Sequence, residues 1–316
     1  MSKILIIGAC GQIGTELTMA LRNRYGKDAV IATDVLAPNK IQVGLWPYIQ
    51  LNALDKLALH CLVLNENIKQ VYHLAAMLSA NGEKYPLKAW ELNCQSLLHV
   101  LDIAKTEKLR VFWPSSIAVF GANAPKVACP QHTITQPSTV YGISKLAGEA
   151  WCRYYYDQYD VDVRSIRYPG LISHSAQAGG GTTDYAVDIF HDAIKHRQFT
   201  CYLKAHTTLP MMYMPDAVRA TIELMDADAR HLSVRTSYNL SGFSFSPQEV
   251  ATEITRQLPA FKIDYRPDFR QGIAESWPAS IDDRQARHDW DWRPKYDLPE
   301  MAKDMLAHLQ QTLATR

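Results

Sequence analysis

The chain has 316 residues, 47% of them hydrophobic, and its 33 Lys and Arg residues nearly balance 32 Asp and Glu residues, which gives a formal net charge of +1. This composition excludes an intrinsically disordered chain, and so small a net charge provides no basic surface for nucleic acid or anionic lipid. We therefore expect a small-molecule partner.

Targeting and metal-binding patterns are absent from the sequence. The apolar runs fall short of the about 20 residues that cross a bilayer, and the N-terminal residues match neither a signal peptide nor a transit peptide. The six cysteines form no C-x-x-C pair and the eleven histidines no H-E-x-x-H motif. We therefore expect a cytoplasmic protein without a membrane segment, with reduced, mostly buried thiols and no metal site.

Short apolar runs alternate with longer helical patterns in the first half of the chain, which is typical of a parallel sheet. Strands are predicted over 3–7, 29–33, 70–74, 110–113 and 161–167, and helices over 12–24, 54–64, 84–105 and 138–158. Further on, the pattern predicts a helix over 185–196, a strand over 199–203 and an amphipathic helix over 298–313. We expect an α/β fold with a Rossmann-type doubly wound parallel sheet over 1–170, returning segments near 205–245, and a smaller C-terminal α/β substrate lobe mainly over 171–316.

A glycine motif follows the first predicted strand and reads Gly8-Ala9-Cys10-Gly11-Gln12-Ile13-Gly14. Glycines allow a tight turn, close approach of the backbone to a pyrophosphate, and packing of the next helix on the strand. Asp34, at the end of the second strand, can accept hydrogen bonds from both ribose hydroxyls and would repel a 2′-phosphate. The sequence therefore predicts NAD rather than NADP, although Asp34 could also be a plain turn residue.

Tyr141 and Lys145 lie four residues apart at the start of a long helical pattern, so they share one helix face. A neighbouring ammonium favours the phenolate, and we expect Lys145 to lower the pKa of Tyr141 and make it a general base. Ser116, at the end of the fourth predicted strand, can hold the reacting oxygen. A surface Tyr–Lys pair would explain the spacing alone, but not its combination with the glycine motif, Asp34 and Ser116.

These motifs together resemble the extended short-chain dehydrogenase/reductase family, which contains the nucleotide-sugar epimerases. The resemblance covers nearly the whole chain and includes His73-Leu74-Ala75-Ala76 and Arg167-Tyr168-Pro169-Gly170. It implies Ser116, Tyr141 and Lys145 as catalytic residues, and Asn52 at a position where an Asp usually contacts the adenine. The NAD contacts that it implies come from Gly8, Gly11, Gln12, Ile13, Gly14, Asp34, Asn52, Leu74, Ala75, Ala76, Asn93, Ser115, Tyr141, Lys145, Tyr168 and Pro169.

Two departures from the epimerase pattern bear on the substrate. Leu209 stands where epimerases have an Arg that clamps the substrate diphosphate, and the loop over 175–184 contains Gly179-Gly180-Gly181-Thr182. The glycine N–H groups and threonine hydroxyls of this loop could form a nest sized for a carboxylate, unless it is simply a flexible surface loop. Arg266 and Arg270 keep a nucleotide-sugar epimerase or dehydratase open as the alternative.

The stretches over 113–121 and 179–185 and the run Glu275-Ser276-Trp277-Pro278 are similar to the short-chain type of L-threonine 3-dehydrogenases, which use NAD and no zinc. That similarity implies L-threonine as substrate, 2-amino-3-oxobutanoate as product, and functional coupling to a 2-amino-3-oxobutanoate CoA ligase that yields glycine. The substrate contacts that we expect come from Ser79, Ser116, Tyr141, Gly180, Thr182 and Trp277. The resemblance also implies a homodimer formed through the helices over 84–105 and 138–158, unless their apolar faces are buried within the monomer. An NAD-sensing protein without activity is a further alternative, but such a protein would usually have lost the Tyr or the Lys.

Overall fold

The computed structural model describes residues 2–41, 43–175 and 179–314. The strands are β1 (Lys3–Ile7), β2 (Val30–Asp34), β3 (Tyr48–Gln50), β4 (Ile68–His73), β5 (Arg110–Ser116), β6 (Val163–Tyr168), β7 (Gly170–Ile172), β8 (Gln198–Cys201), β9 (Leu209–Tyr213), β10 (Tyr238–Asn239), β11 (Phe243–Phe245) and β12 (Lys262–Tyr265). The helices are α1 (Gln12–Tyr25), α2 (Lys56–Asn65), α3 (Ser79–Lys84), α4 (Pro86–Trp90), α5 (Ser96–Glu107), α6 (Val140–Tyr159), α7 (Tyr185–Lys195), α8 (Met214–Asp226), α9 (Pro247–Gln257), α10 (Arg270–Ser276), α11 (Arg284–Trp290) and α12 (Leu298–Ala314).

A seven-stranded sheet with the order β10-β6-β5-β4-β1-β2-β3 forms the centre of the molecule, and its neighbouring strands pair in parallel. Successive side chains of β1 enter different cores because a strand alternates its faces. Ile4 and Ile6 pack with α1 and α8, whereas Leu5 and Ile7 pack with α2 and α5. Helices therefore cover both faces, and the predicted doubly wound parallel sheet is confirmed.

The helix predicted over 84–105 is wrong as a single helix. Pro86 lacks an N–H and stands at the start of α4, so the chain breaks after α3 at Tyr85. A π-helical turn, Glu91–Gln95, then joins α4 to α5. Beyond these breaks, the strands predicted in the first half lie within two or three residues of the observed ones.

The second lobe contains a three-stranded sheet with the order β11-β9-β7 and the parallel pair β12-β8. One apolar core joins these strands to α7, α9 and α12. Short strands such as β7, β10 and β11 are absent from the sequence prediction because two or three residues show no periodicity. No helix in the described part of the chain is long and apolar enough to span a membrane. The boundary at residue 170 stays a prediction, and β10 shows that the chain returns to the main sheet.

Candidate active site

A cavity of about 460 Å³ lies at the carboxyl ends of β1, β4, β5 and β6, where ligands bind in open parallel sheets. Gly8 follows β1, Leu74 follows β4, and Ser116 and Tyr168 end β5 and β6. The predicted site residues in its wall are Gly8, Gly11, Gln12, Ile13, Gly14, Leu74, Ala76, Ser79, Ser115, Ser116, Tyr141, Lys145, Tyr168, Pro169, Thr182 and Trp277. A cavity of about 490 Å³ at the amino ends of the strands contains none of them.

The glycine motif has the geometry that a dinucleotide requires. Gly8 has a φ of 87°, and a Cβ on it would lie 2.7 Å from the backbone nitrogen of Ala75. A Cβ on Gly14 would lie 2.2 Å from the carbonyl oxygen of Gly8, so only glycine allows α1 to pack this closely on the turn. The amide nitrogen Nε2 of Gln12 is buried without a hydrogen-bond partner among the described residues. The turn and the N-terminus of α1 therefore fit a pyrophosphate.

Asp34 is held beside this turn because its Oδ2 accepts a hydrogen bond from the backbone N–H of Cys10 at 3.0 Å. Asn52 is exposed, and its side chain accepts a hydrogen bond from the N–H of Leu54 at 3.0 Å in the turn before α2. The backbone of Ala75 packs closely against Gly8. These three residues lie outside the cavity wall, and their contacts with the cofactor stay predictions.

Tyr141 and Lys145 lie in the first turns of α6, which begins with a side-chain cap from Thr139 to the N–H of Gly142. Lys145 Nζ lies 5.5 Å from the centroid of the Tyr141 ring and donates a hydrogen bond to the carbonyl oxygen of Pro114 at 2.6 Å. The hydroxyl of Ser116 accepts from the N–H of Ala118. The structure therefore brings the three predicted catalytic residues into one cavity.

Burial is the main cause of the pKa shifts of Tyr141 and Lys145. Desolvation raises the pKa of Tyr141 to about 12, and only the hydroxyl of Ser116 lowers it. Desolvation also lowers the pKa of Lys145 to about 7. In the chain by itself, Lys145 does not lower the pKa of Tyr141 as expected, and its ammonium donates to the Pro114 carbonyl. A positive charge in the cavity would favour the phenolate.

A buried ion pair that sequence reasoning missed supports the catalytic helix. Both carboxylate oxygens of Glu149 accept from the guanidinium of Arg167, at 2.7 and 2.8 Å, and Oε1 also accepts from Ser115 at 2.6 Å. The pair therefore fixes α6 against β5 and β6. Glu149 follows Lys145 by four residues on the same helix, and this spacing could have indicated it. The Tyr168 phenol bonds to Thr221.

Asn93 does not line the cavity and contacts residues around it instead. Its amide accepts from the N–H of Met77 at 2.8 Å and donates to Ser144 at 3.0 Å. It lies in the π-helical turn between α4 and α5, and turns of this kind often occur at functional sites. Asn93 thereby connects the segment after β4 with α6, and its predicted contact with NAD stays a prediction.

Two buried hydroxyls form part of the cavity wall. Ser79 Oγ and Thr182 Oγ1 lie 3.2 Å apart, and both residues are almost fully buried. The nest predicted for a carboxylate is already filled, since the N–H groups of Gly180 and Gly181 donate to Asp184 Oδ2, each at 2.7 Å. Gly180 does not line the cavity, and its role as a substrate contact stays a prediction. Residues 176–178 of this loop lie outside the described residues.

Two further positions bear on the substrate. Leu209 is fully buried in the core of the second lobe and lies outside the cavity wall, so it offers nothing to a diphosphate. Trp277 is buried and forms part of the wall directly after α10. Arg270 pairs with Asp268 at 2.6 Å, and its guanidinium carbon lies 3.1 Å from the Tyr202 ring centroid.

Residues 4–240 match the family model described as "NAD dependent epimerase/dehydratase family". The chain belongs to this family. An "Uncharacterized epimerase/dehydratase" of Staphylococcus haemolyticus is 46% identical, with 98% of each chain covered. The matched range includes the glycine motif, Asp34 and the three catalytic candidates. The family is NAD-dependent, and the cofactor is NAD.

Solved structures of this family are similar over the whole length. A "GalE-like L-Threonine dehydrogenase" of Cupriavidus necator in its holo form is 57% identical, with a TM-score of 0.95 and coverage of 97% of this chain and 99% of that chain. An L-threonine dehydrogenase of Clostridium difficile is 43% identical, with a TM-score of 0.96 and coverage of 99% and 98%. This family member is therefore an NAD-dependent oxidoreductase by fold and site.

Proposed function

We propose that the protein oxidises the β-hydroxyl of L-threonine with NAD⁺ to give 2-amino-3-oxobutanoate, NADH and a proton. The observation that carries this proposal is the pair of buried hydroxyls, Ser79 and Thr182, in the same cavity as Ser116 and Tyr141. A pair of hydroxyl donors suits an amino-acid carboxylate, whereas a sugar diphosphate needs a cationic side chain. Epimerases use an Arg for this purpose, and this chain has Leu209 at that position. The similar structures from Cupriavidus and Clostridium support the same substrate.

The chain's own residues would bind the substrate and move the proton. The carboxylate of threonine accepts from Ser79 and Thr182, and Trp277 covers the bound amino acid. Ser116 donates to the substrate oxygen as it becomes a carbonyl, which stabilises its developing charge. Tyr141 takes the hydroxyl proton, and the charged nicotinamide of bound NAD⁺ supplies a hydride acceptor at the β-carbon.

Lys145 has a positioning and electrostatic role in this proposal. Its ammonium lies on the same face of α6 as Tyr141 and is held by the carbonyl of Pro114. From there it would bind the ribose of the cofactor. The positive charge of the cofactor would offset the desolvation that keeps Tyr141 protonated.

Turnover with defined substrates tests the proposal. The protein is supplied with NAD⁺ and L-threonine, L-serine or UDP-glucose, NADH is followed by absorbance, and the sugar products are analysed separately. Tyr141→Phe should abolish NADH formation from threonine while NAD⁺ still binds, and Tyr25→Phe at the exposed end of α1 should not. Conversion of UDP-glucose without NADH release from threonine would establish the epimerase alternative instead.

A second pair of variants tests the substrate contacts. A hydrogen bond to a charged group contributes about 1.5–3 kcal/mol, so Thr182→Val should raise KM for threonine about 10- to 100-fold. The matched control is Thr252→Val on an exposed face of α9, which should leave KM unchanged. An unchanged KM in Thr182→Val would remove this residue from the proposed carboxylate site.

We also propose a homodimer formed through α4, α5 and α6. Leu87 and Trp90 on α4 and Ile143, Trp151 and Tyr154 on α6 are exposed, and Leu87 is 83% exposed. Large apolar side chains at adjacent positions favour association. Analytical ultracentrifugation should give twice the chain mass, Leu87→Glu should weaken the dimer, and a monomer at micromolar concentration would contradict the proposal.

A 2-amino-3-oxobutanoate CoA ligase would consume the product of the proposed oxidation.

A further inference from the structure

A second cluster of polar side chains lies outside the active-site cavity, between α12 and the segment that follows β7. It consists of His174, Asp304 and His308, and its ligand-type atoms lie within 4.8 Å of one another. Asp304 and His308 are four residues apart on α12 and therefore share one helix face. His174 comes two residues after the end of β7. None of the three lines the cavity that contains Tyr141.

The two imidazole rings are stacked, with their centroids 4.0 Å apart and their planes at 14°. His308 Nδ1 lies 3.0 Å from the carbonyl oxygen of Asp304, and His174 Nδ1 lies 3.2 Å from the hydroxyl of Ser175. Among the described residues, the structure gives neither Nε2 atom a hydrogen-bond partner. Each ring is thus held through one nitrogen, while the other nitrogen remains available.

The carboxylate is oriented as well. Asp304 Oδ2 accepts from the phenol of Tyr213 at 2.6 Å, and Oδ1 lies 3.5 Å from His308 Nδ1. Tyr213 belongs to β9 and is fully buried, so its phenol holds the carboxylate in a fixed orientation. Histidine ligands that bond through their second nitrogen, and carboxylates that accept a further hydrogen bond, are the usual surroundings of a metal ion.

The donor set narrows the type of ion. Two imidazoles and one carboxylate suit Zn²⁺ and its transition-metal neighbours, whereas Mg²⁺ and Ca²⁺ prefer oxygen ligands alone. Zinc binds such ligands at about 2.0–2.2 Å, so two ligand atoms of a tetrahedral site lie about 3.4 Å apart. Binding of one ion requires the two stacked rings to tilt so that a lone pair of each points at it, and the ligand atoms, now within 4.8 Å of one another, to approach that distance. The side chains of Asp304 and His308 are 33% and 44% exposed, so an ion can reach them.

We propose that His174, Asp304 and His308 bind one Zn²⁺ ion, with water completing the coordination. The ion joins α12 to the start of the segment that leads to Thr182, and its role is to stabilise this contact. It takes no part in the oxidation proposed above, and the two proposals can fail independently. His174 lies 130 positions before Asp304 in the sequence, so the spacing of the three residues showed no metal motif.

Metal binding is measured directly on the full-length protein. Every protein carries Cys61→Ser, because Cys61 is an exposed thiol that could bind the probe. Co²⁺ is titrated and followed by visible absorption, which separates imidazole and carboxylate ligation from thiolate ligation. We expect one Co²⁺ per chain without thiolate bands, and displacement of the Co²⁺ by one equivalent of Zn²⁺.

Single variants then assign the site. His174→Ala, His308→Ala and Asp304→Asn should each weaken Co²⁺ binding at least 10-fold. Asp304→Asn keeps the side-chain shape and an oxygen acceptor for Tyr213, so it tests the charge with little change in packing. His196→Ala, at an exposed position after α7, is the matched control and should bind like its parent. Melting temperatures in EDTA that equal that of the parent show that the variants fold.

Thermal stability provides the second readout. Zn²⁺ at about 100 times its Kd should raise the melting temperature of the parent by several degrees, and the shift should disappear in the His308→Ala variant. Equal Co²⁺ affinity and equal Zn²⁺ shifts in the parent and the three variants would overturn the proposal. So would the absence of binding to the parent, which would show that the cluster is a stacked pair with an ion-pair partner only.

Discussion

Gly142 provides a sensitive test of how the catalytic group is assembled. A Cβ at this position would lie 2.1 Å from the backbone carbonyl oxygen of Ala118 and 2.7 Å from Pro137 Cβ. An ordinary contact of a Cβ lies at 3.4–4 Å, and a backbone atom cannot rotate away as a side chain can. Gly142→Ala must therefore move the first turn of α6 by about 1 Å from the loop that carries Ser116.

Such a displacement separates Tyr141 from Ser116 without removing either group. A misplacement of about 1 Å can cost about 100-fold in rate, so kcat/KM for threonine should fall about 10- to 100-fold. Overpacking should also lower the free energy of unfolding by about 1–3 kcal/mol. Steady-state kinetics and thermal melts measure both effects on the same sample.

Gly272→Ala is the matched control for this experiment. Gly272 lies in α10, and a Cβ there would meet no atom within 4 Å. The same chemical change should leave kcat/KM unchanged and stabilise the helix by up to about 1 kcal/mol. A Gly142→Ala protein that is as active as the parent would refute the packing of α6 on the Ser116 loop as the device that positions Tyr141.

Three further predictions concern ionic groups. Burial lowers the pKa of Lys145 to about 7, so above that pH the unfolded chain binds more protons than the folded protein does. The free energy of unfolding should therefore rise from pH 7 towards about pH 8.5, and Lys145→Met should flatten this slope in thermal melts. Arg167→Met leaves Glu149 buried without its partner and should cost about 3–5 kcal/mol in denaturant unfolding, whereas Arg153→Met at an exposed ion pair should cost less than about 1 kcal/mol. Asp34→Ser removes the charge that repels a 2′-phosphate, so kcat/KM with NADP⁺ should rise at least about 10-fold.

Each of these predictions has a contrary outcome. A pH slope that is the same in the parent and in Lys145→Met would show that the lysine is charged in the folded protein at pH 8. Equal losses for the two arginine variants would mean that the Glu149 pair gains nothing from its burial. Unchanged discrimination against NADP⁺ in Asp34→Ser would remove Asp34 from the ribose site.

Sequence reasoning succeeded where one element determines the geometry. The spacing of Tyr141 and Lys145 depends only on the helix, and the position of Ser116 depends only on parallel strands ending at one edge. Both could be predicted because the apolar runs of β1, β4, β5 and β6 are long enough to detect.

Contacts that depend on the path of the backbone through space could not be predicted in this way. Asp184 folds back on Gly180 and Gly181, and Lys145 turns to the carbonyl of Pro114, because of how the backbone curves in three dimensions. The raised pKa of Tyr141 likewise depends on burial by several elements at once. Residue spacing contains none of this information.

The most direct test of the proposed oxidation is NADH formation by the purified protein with NAD⁺ and L-threonine. The site geometry predicts NADH in proportion to threonine consumed, no NADH from UDP-glucose, and complete loss of NADH formation in Tyr141→Phe with NAD⁺ binding intact. Absence of NADH from threonine, or full activity in the Tyr141→Phe variant, would contradict the proposal.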